Sequence, residues 1–182
     1  IYTAIFQMCN LQDVSSLDPF AIENTEVIFG PGSVLYGSDA IGGVMTFQTL
    51  TPSFSGSQKM KVVGNGTLRY SSANSEKTGH VDLNLGWQKF AMVSSFSTNN
   101  YGDLRMGSHG PEEYLRNIYS VFEQGKDTIL QNADPEIQRP TAFKQYNLMQ
   151  KIRFAPNDKL DFTYALHFSA TTEYSRYDRL IR

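Results

Sequence analysis

The sequence has one cysteine, Cys9, which excludes an internal disulfide framework and any zinc site built on paired cysteines. Cys9 reads as a buried or incidental thiol. There is no excess of charge: 16 Lys and Arg against 18 Asp and Glu leave a formal net charge of −2, without the basic stripe that nucleic acid demands. Nowhere do apolar residues run to the ~18–20 consecutive positions that a membrane helix needs. The chain begins without a methionine, a basic n-region or an apolar h-region, so it reads as processed or as an excerpt of something longer. Catalytic signatures are absent too. No nucleophile elbow, HExxH motif or compact carboxylate pair occurs, so no catalytic residue, metal site or cofactor is expected, and the protein does not read as an enzyme.

The lack of long apolar runs leaves one class of membrane protein open. A barrel strand needs only ~9–11 residues and turns alternate side chains to lipid, so its mean hydropathy looks soluble. The mean hydropathy of −0.36 therefore excludes helical membrane proteins and not barrels.

What is present falls into two regions. Residues 1–50 are glycine-punctuated and of mixed α/β character. Asp18-Pro19 predicts an N-cap and first helical residue, opening a short helix through Glu23. Thr25 to Phe29 predicts a strand, broken by Gly30-Pro31-Gly32. Ser33 caps one helical turn over Val34, Leu35 and Tyr36, ended by Gly37. Gly42-Gly43 leads into a strand at 44–49. A polar, Ser-rich linker spans 51–58.

From residue 59 onward the pattern has period 2. Val81, Leu83, Leu85 and Trp87 point one way, with Asp82, Asn84 and Gly86 the other. From Leu160, the set Leu160, Phe162, Tyr164, Leu166, Phe168 and Ala170 alternates with a mostly polar set. Strands are expected at 60–71, 77–87, 90–101, 145–154 and 160–171, and Gln150 breaks the apolar face of the fourth. These lengths are roughly twice the ~5–6 residues usual in globular sheets. The connections alternate as well: short reversals near 73–77, 88–89 and 155–159 contrast with one long excursion, 104–141. Trp87, Phe90 and Phe154 flank short turns, where an interfacial aromatic girdle belongs. Alternation alone also fits a half-buried soluble sheet, so a β-sandwich binding or adhesion module is the competing reading.

The stretch from Ile22 to Val44 contains Ile22-Glu23, Glu26-Val27, Gly30-Pro31-x-Ser33, Leu35-Tyr36-Gly37, Ala40 and Gly42-Gly43-Val44. In order and spacing it resembles the end of the plug domain of TonB-dependent receptors. Thr25, where that family usually has an aliphatic residue, is a mild departure. The resemblance implies a mainly β chain: the C-terminal part of a small α/β plug, followed by the first five or so strands of an antiparallel transmembrane β-barrel. Such barrels have about 22 strands around a plugged lumen. It further implies active uptake of a scarce nutrient across the bacterial outer membrane. The partners would be TonB, the bilayer, and an iron–siderophore, haem or haem-protein ligand. Gly102 to Gly107 and Tyr177 to Leu180 look similar to the haem-type branch.

Under this resemblance the glycines at 30, 32, 37, 42 and 43 allow tight turns in a confined plug. A phosphate cradle fails on spacing, since Leu35 stands where a dinucleotide fingerprint needs glycine and no Gly-Lys-Ser/Thr exists. Glu23 and Glu26 are expected to pair with inward-facing basic residues, for which Arg69, Lys151 and Arg153 are the candidates; solvated carboxylates are the alternative. The excursion 104–141 is expected to be an extracellular loop. A helix within it would start near Ser108 and Pro111 and carry Leu115, Ile118, Tyr119 and Phe122. If the cargo is haem, His109 is the imidazole to suspect.

Overall fold

The computed structural model describes residues 2–3, 17–30, 33–37, 42–123 and 125–172. They divide into two compact units. One comprises residues 1–66, 80–97 and 147–169, and the other 67–79, 98–146 and 170–182. Elements are antiparallel strands with short turns between them. No helix among the described residues is long and apolar enough to cross a membrane, which says nothing of a β-barrel.

The N-terminal region is a small three-stranded sheet in the order β1 (Tyr2–Thr3), β3 (Gly43–Thr49), β2 (Ile22–Phe29). β2 and β3 pair antiparallel from Ile22↔Thr49 to Phe29↔Gly43, with a register shift between Ile22 and Asn24. Asp18 caps a 3-10 turn at Pro19–Ala21, its carboxylate accepting from the Phe20 N–H at 3.1 Å. The expected helix through Glu23 is thus shorter than predicted. Ile22 and Glu23 belong to β2: Ile22 pairs with Thr49 of β3, and Glu23 lies at the register shift before Asn24. The helical turn α1 (Ser33–Tyr36) forms where Ser33 predicts it, and Gly37 ends it with φ +97°, a conformation open mainly to glycine.

Five long strands follow: β4 (Lys61–Ser71), β5 (Glu76–Gly86), β6 (Phe90–Tyr101), β11 (Phe143–Asn157) and β12 (Leu160–Thr171). They form one sheet in the order β12-β11-β6-β5-β4, so each strand lies beside its neighbour in sequence. The turns at 72–75, 87–89 and 158–159 are too short for parallel crossovers. β6 and β12 have the expected bounds, although β6 alternates only weakly. β11 begins two residues before the expected strand and runs on to Asn157, into the expected turn.

The burial pattern is inverted relative to a soluble sheet. On β5 the buried set is Glu76, Thr78, His80, Asp82, Asn84 and Gly86. Val81 is 54% exposed between His80 and Asp82, which are 7% and 8% exposed. β6 buries Ser95, Ser97 and Asn99 while Phe96 is exposed, and β11 buries Gln145 and Asn147 while Tyr146 and Leu148 are exposed. β4 and β12 are edge strands exposed on both faces, so the comparison rests on the three inner strands. There, among the described residues, the greasy face meets no second sheet, against the sandwich reading.

The connection between β6 and β11 holds β7 (Leu104–Arg105) paired with β10 (Ile137–Gln138), and a hairpin of β8 (Ile118–Glu123) with β9 (Lys126–Gln131). The expected loop helix is absent; only a 3-10 turn forms, at Glu112–Tyr114. Ile118, Val121, Thr128 and Ile129 are β-branched and favour a strand, and Gly125, at φ +79°, supplies the reversal.

Candidate functional site

The inward face of the long strands carries the N-terminal segment. Ala21 packs on Val93 of β6 and Met149 of β11, with Leu50 alongside, and the Leu50 N–H donates to the Ala21 carbonyl at 2.9 Å. Beside this apolar contact lies a polar chain. Ser97 Oγ donates to Asp18 Oδ2 at 2.6 Å. His80 Nδ1 stands 2.7 Å from the same Ser97 Oγ, and His80 Nε2 stands 3.2 Å from Asp82 Oδ2. Asn65 of β4 donates to Asp82 Oδ1 at 3.0 Å. The Phe20 ring stacks on His80, centroids 5.0 Å apart and planes inclined by 19°.

Lys151 on β11 donates through Nζ to the Thr49 carbonyl at 3.0 Å and lies within the electrostatic reach of Glu23. Of the three basic candidates, it is the one the structure brings against the N-terminal segment. Arg69 is instead bonded to Glu76, its Nε 2.9 Å from Oε1, and Thr78 Oγ1 donates to the same carboxylate at 2.7 Å. Arg153 forms a two-pronged pair with Asp161, with contacts of 3.0 and 2.5 Å, and lies 4.9 Å over the Phe54 ring. Both pairings join adjacent strands across a short turn. Glu23 and Glu26 are exposed on β2, and among the described residues no ion pair joins them to Arg153.

The glycines divide by role. Gly30 and Gly37 have φ of +93° and +97°, and the Gly30 N–H donates to Gly42 O at 3.4 Å across the base of the β2–β3 loop. A Cβ on Gly43 would stand 2.8 Å from the Ile28 carbonyl oxygen, so only glycine fits without displacement there. A Cβ on Gly42 would meet open space. Tyr36 closes α1. Pro31 and Gly32, like Cys9 and Tyr177 to Leu180, lie outside the described residues.

The stretch 51–58, read from sequence as a linker, is pinned to the end of β5. Ser53 N–H donates to Asn84 Oδ1 at 3.0 Å, Ser55 N–H donates to the Trp87 carbonyl at 3.0 Å, and Pro52 is fully buried. Trp87 and Phe90 meet at the adjoining turn, centroids 5.6 Å apart.

The β6–β11 connection has its own polar scaffold. Asp103 accepts from the Thr141 and Ala142 N–H groups, at 2.8 and 2.9 Å. Arg105 bridges Asp134 and Glu136. Asn132 Nδ2 donates to the Arg116 and Ile137 carbonyls, both at 2.8 Å. His109 is exposed, its Nδ1 3.0 Å from the Ser108 hydroxyl. Among the described residues no group of three or more His, Cys, Asp and Glu could hold a metal ion.

The family model described as TonB-dependent Receptor Plug Domain matches residues 7–44. Over these residues the chain is similar to the plug segment of TonB-dependent receptors. Its strands after the plug segment form the antiparallel, inverted sheet of a barrel wall. A hemin receptor of Yersinia pestis is 31% identical over 122 residues, covering 62% of this chain and 17% of that protein. A hemin receptor of Yersinia enterocolitica is 30% identical over 111 residues, 56% of this chain and 15% of the relative. A ferrioxamine B receptor of Salmonella typhimurium (strain LT2) is 36% identical over 69 residues, 37% of this chain and 10% of the relative. The chain thus spans less than a fifth of the curated receptors it matches. No solved structure matches it significantly.

Proposed function

We propose that this chain is part of an outer-membrane receptor that takes up an iron-bearing nutrient, haem or an iron–siderophore, using force delivered by TonB. The observation that carries the reading is the inverted inner-strand pattern with a plug segment seated on its polar side. A lipid-facing barrel surface and a filled polar lumen require that arrangement, and no soluble sheet profits from it. In this reading residues 1–50 are the end of the plug, 51–58 the connection to the wall, and 59–182 the opening strands of the barrel, with 104–141 facing the outside. Transport then needs no covalent chemistry from the chain. Ligand binding outside is linked to loosening of the plug inside, and pulling from the periplasm opens a path.

Glu23 acts on Lys151 as an electrostatic partner that helps hold the plug segment, while Glu26 stands exposed further along the same strand, β2. The hemin receptors among the relatives favour haem as cargo, with exposed His109 as an iron-binding imidazole in the outer loop. The test is growth of the parent bacterium on haem or on ferrioxamine B as sole iron source, with and without this gene and with and without TonB. Growth on either source that needs both genes supports the reading. Growth indifferent to deletion of this gene on every iron source contradicts it.

A further inference from the structure

Gly86 is the last residue of β5, and the space a side chain would fill there is taken by residues 53–55. A Cβ on Gly86 would overlap the Ser53 carbonyl oxygen and stand 3.2 Å from both the Phe54 carbonyl carbon and the Ser55 nitrogen. Gly86 is not among the glycines with positive φ, so the close approach of this segment, rather than its own backbone, calls for glycine. Two residues earlier on the same inward row, Asn84 bonds Ser53 in both directions. Its Oδ1 accepts from the Ser53 N–H at 3.0 Å, and its Nδ2 donates to Ser53 Oγ at 3.0 Å and to the Ser53 carbonyl at 3.3 Å. A side-chain amide used this way offers the backbone what an adjacent strand would. The Ser55 N–H donates to the Trp87 carbonyl at 3.0 Å, just past the end of β5. Pro52 is fully buried, and Ser55 Oγ donates to the Lys59 carbonyl at 2.5 Å, tying the rest of the segment into a turn.

We propose that residues 52–55 are a strain-relief clamp: held on the end of β5 by Asn84 and Gly86, they bear the pull that TonB exerts on the plug segment and keep it off β4. Tension travels along the main chain until something fixed bears it. Without the clamp the next fixed point is Lys61, the first residue of β4. A pull on the end of a strand opens its hydrogen bonds one after another, so β4 would peel from β5, its neighbour in the sheet. The clamp instead sets the bonds of Asn84 and Ser55 to resist together, ahead of the first wall strand. Asn84 and Gly86 act as positioning residues: they fix where the moving part of the chain ends, and they touch no cargo.

This inference rests on the uptake reading, and single-molecule pulling on the full-length receptor in a lipid bilayer, from a handle at its N-terminus, separates the two. In the wild type a distinct force peak is expected after the last release from the plug segment and before the first wall strand. It should be followed by about 30 Å of added length, the extended span of residues 52–60. Gly86→Ala puts a methyl group where the Ser53 carbonyl lies, and Asn84→Ala removes the amide. In both, the peak should vanish and its length should merge with the last plug release. Asn84→Asp keeps the acceptor and loses the donor, so its peak should persist at lower force. Later peaks from the wall strands, unchanged in number and spacing, certify that each variant is folded; should neither alanine variant show them, the wild-type trace and Asn84→Asp decide. A wild-type trace without the peak, or a peak of equal force in the folded variants, overturns the clamp. Release of residues 17–50 only together with the wall strands overturns the plug reading itself.

Discussion

The ammonium of Lys151 donates to the main-chain carbonyl of Thr49 at 3.0 Å, joining a wall strand to the last residue of β3 across 102 positions of sequence. Thr49 ends β3 and opens into the stretch that leads to β4. Leu50 beside it is held by the Ala21 carbonyl. The contact ties the exit of the plug segment, its apolar foot at Ala21 and the inner face of β11 into one cluster.

Lys151→Met should therefore loosen the plug segment and leave the wall intact. The substitution keeps most of the stem and removes the donor, leaving a buried carbonyl short of a partner, at a cost of about 1–3 kcal/mol. Urea titration of the full-length receptor, followed by exchange of peptides 17–29 and 43–50, should show the plug midpoint falling while the β5 midpoint holds. An equal fall in both would assign Lys151 to general wall stability.

Gln150 interrupts the outward apolar row of β11, and its partner explains why it is tolerated. Ser94 Oγ, outward on β6, donates to Gln150 Oε1 at 2.6 Å. In hydrocarbon a polar pair persists only when satisfied internally. Ser94→Ala alone should destabilise the receptor by about 1–3 kcal/mol, and Ser94→Ala with Gln150→Leu should be close to neutral. A double-mutant cycle in lipid vesicles measures the coupling. Additive losses would place this face in water.

Asn132 is the hub of the β6–β11 connection, holding the carbonyls of Arg116 and Ile137 at 2.8 Å each. Asn132→Ala should raise exchange throughout residues 116–138 while strands β6 and β11 keep their protection. The loss is about 1–3 kcal/mol of local stability, because two carbonyls lose their donors. Binding of the cargo from outside, measured by titration, should weaken with it. Unchanged exchange in 116–138 would show that the hairpin holds itself.

How much of this was legible beforehand follows from the range of each interaction. β6 carries small and hydroxyl residues on both faces and alternates weakly, whereas period-2 alternation marks β12 from Leu160 to Thr171, because side-chain direction in a strand is a local property. Ser33 and Gly37 marked α1 for the same reason. The partners of Arg69 and Arg153 were within reach too: Glu76 and Asp161 lie opposite them across turns of a few residues, so drawing the hairpin register would have found both. Leu115, Ile118, Tyr119 and Phe122 satisfy helical spacing, but the β-branched content and Gly125 favour the hairpin that forms. The local pattern at Asp18 predicts an N-cap and nothing more. Its Oδ1 does cap Phe20, but Oδ2 bonds Ser97 79 residues away, and no local pattern encodes that. The one available hint was a histidine and an aspartate on the same inward row of β5.

The measurement that bears most directly on the account is a nitroxide scan of positions 79–85 on β5, in the full-length receptor reconstituted in lipid vesicles. Collision with oxygen, which concentrates in hydrocarbon, should peak at 81, 83 and 85. It should fall at 80, 82 and 84, giving a period of 2 along the strand. Collision with a water-soluble nickel complex should be low at 81, 83 and 85. High nickel accessibility at Val81 and Leu83, with no oxygen maximum there, would contradict the barrel wall and the receptor built on it.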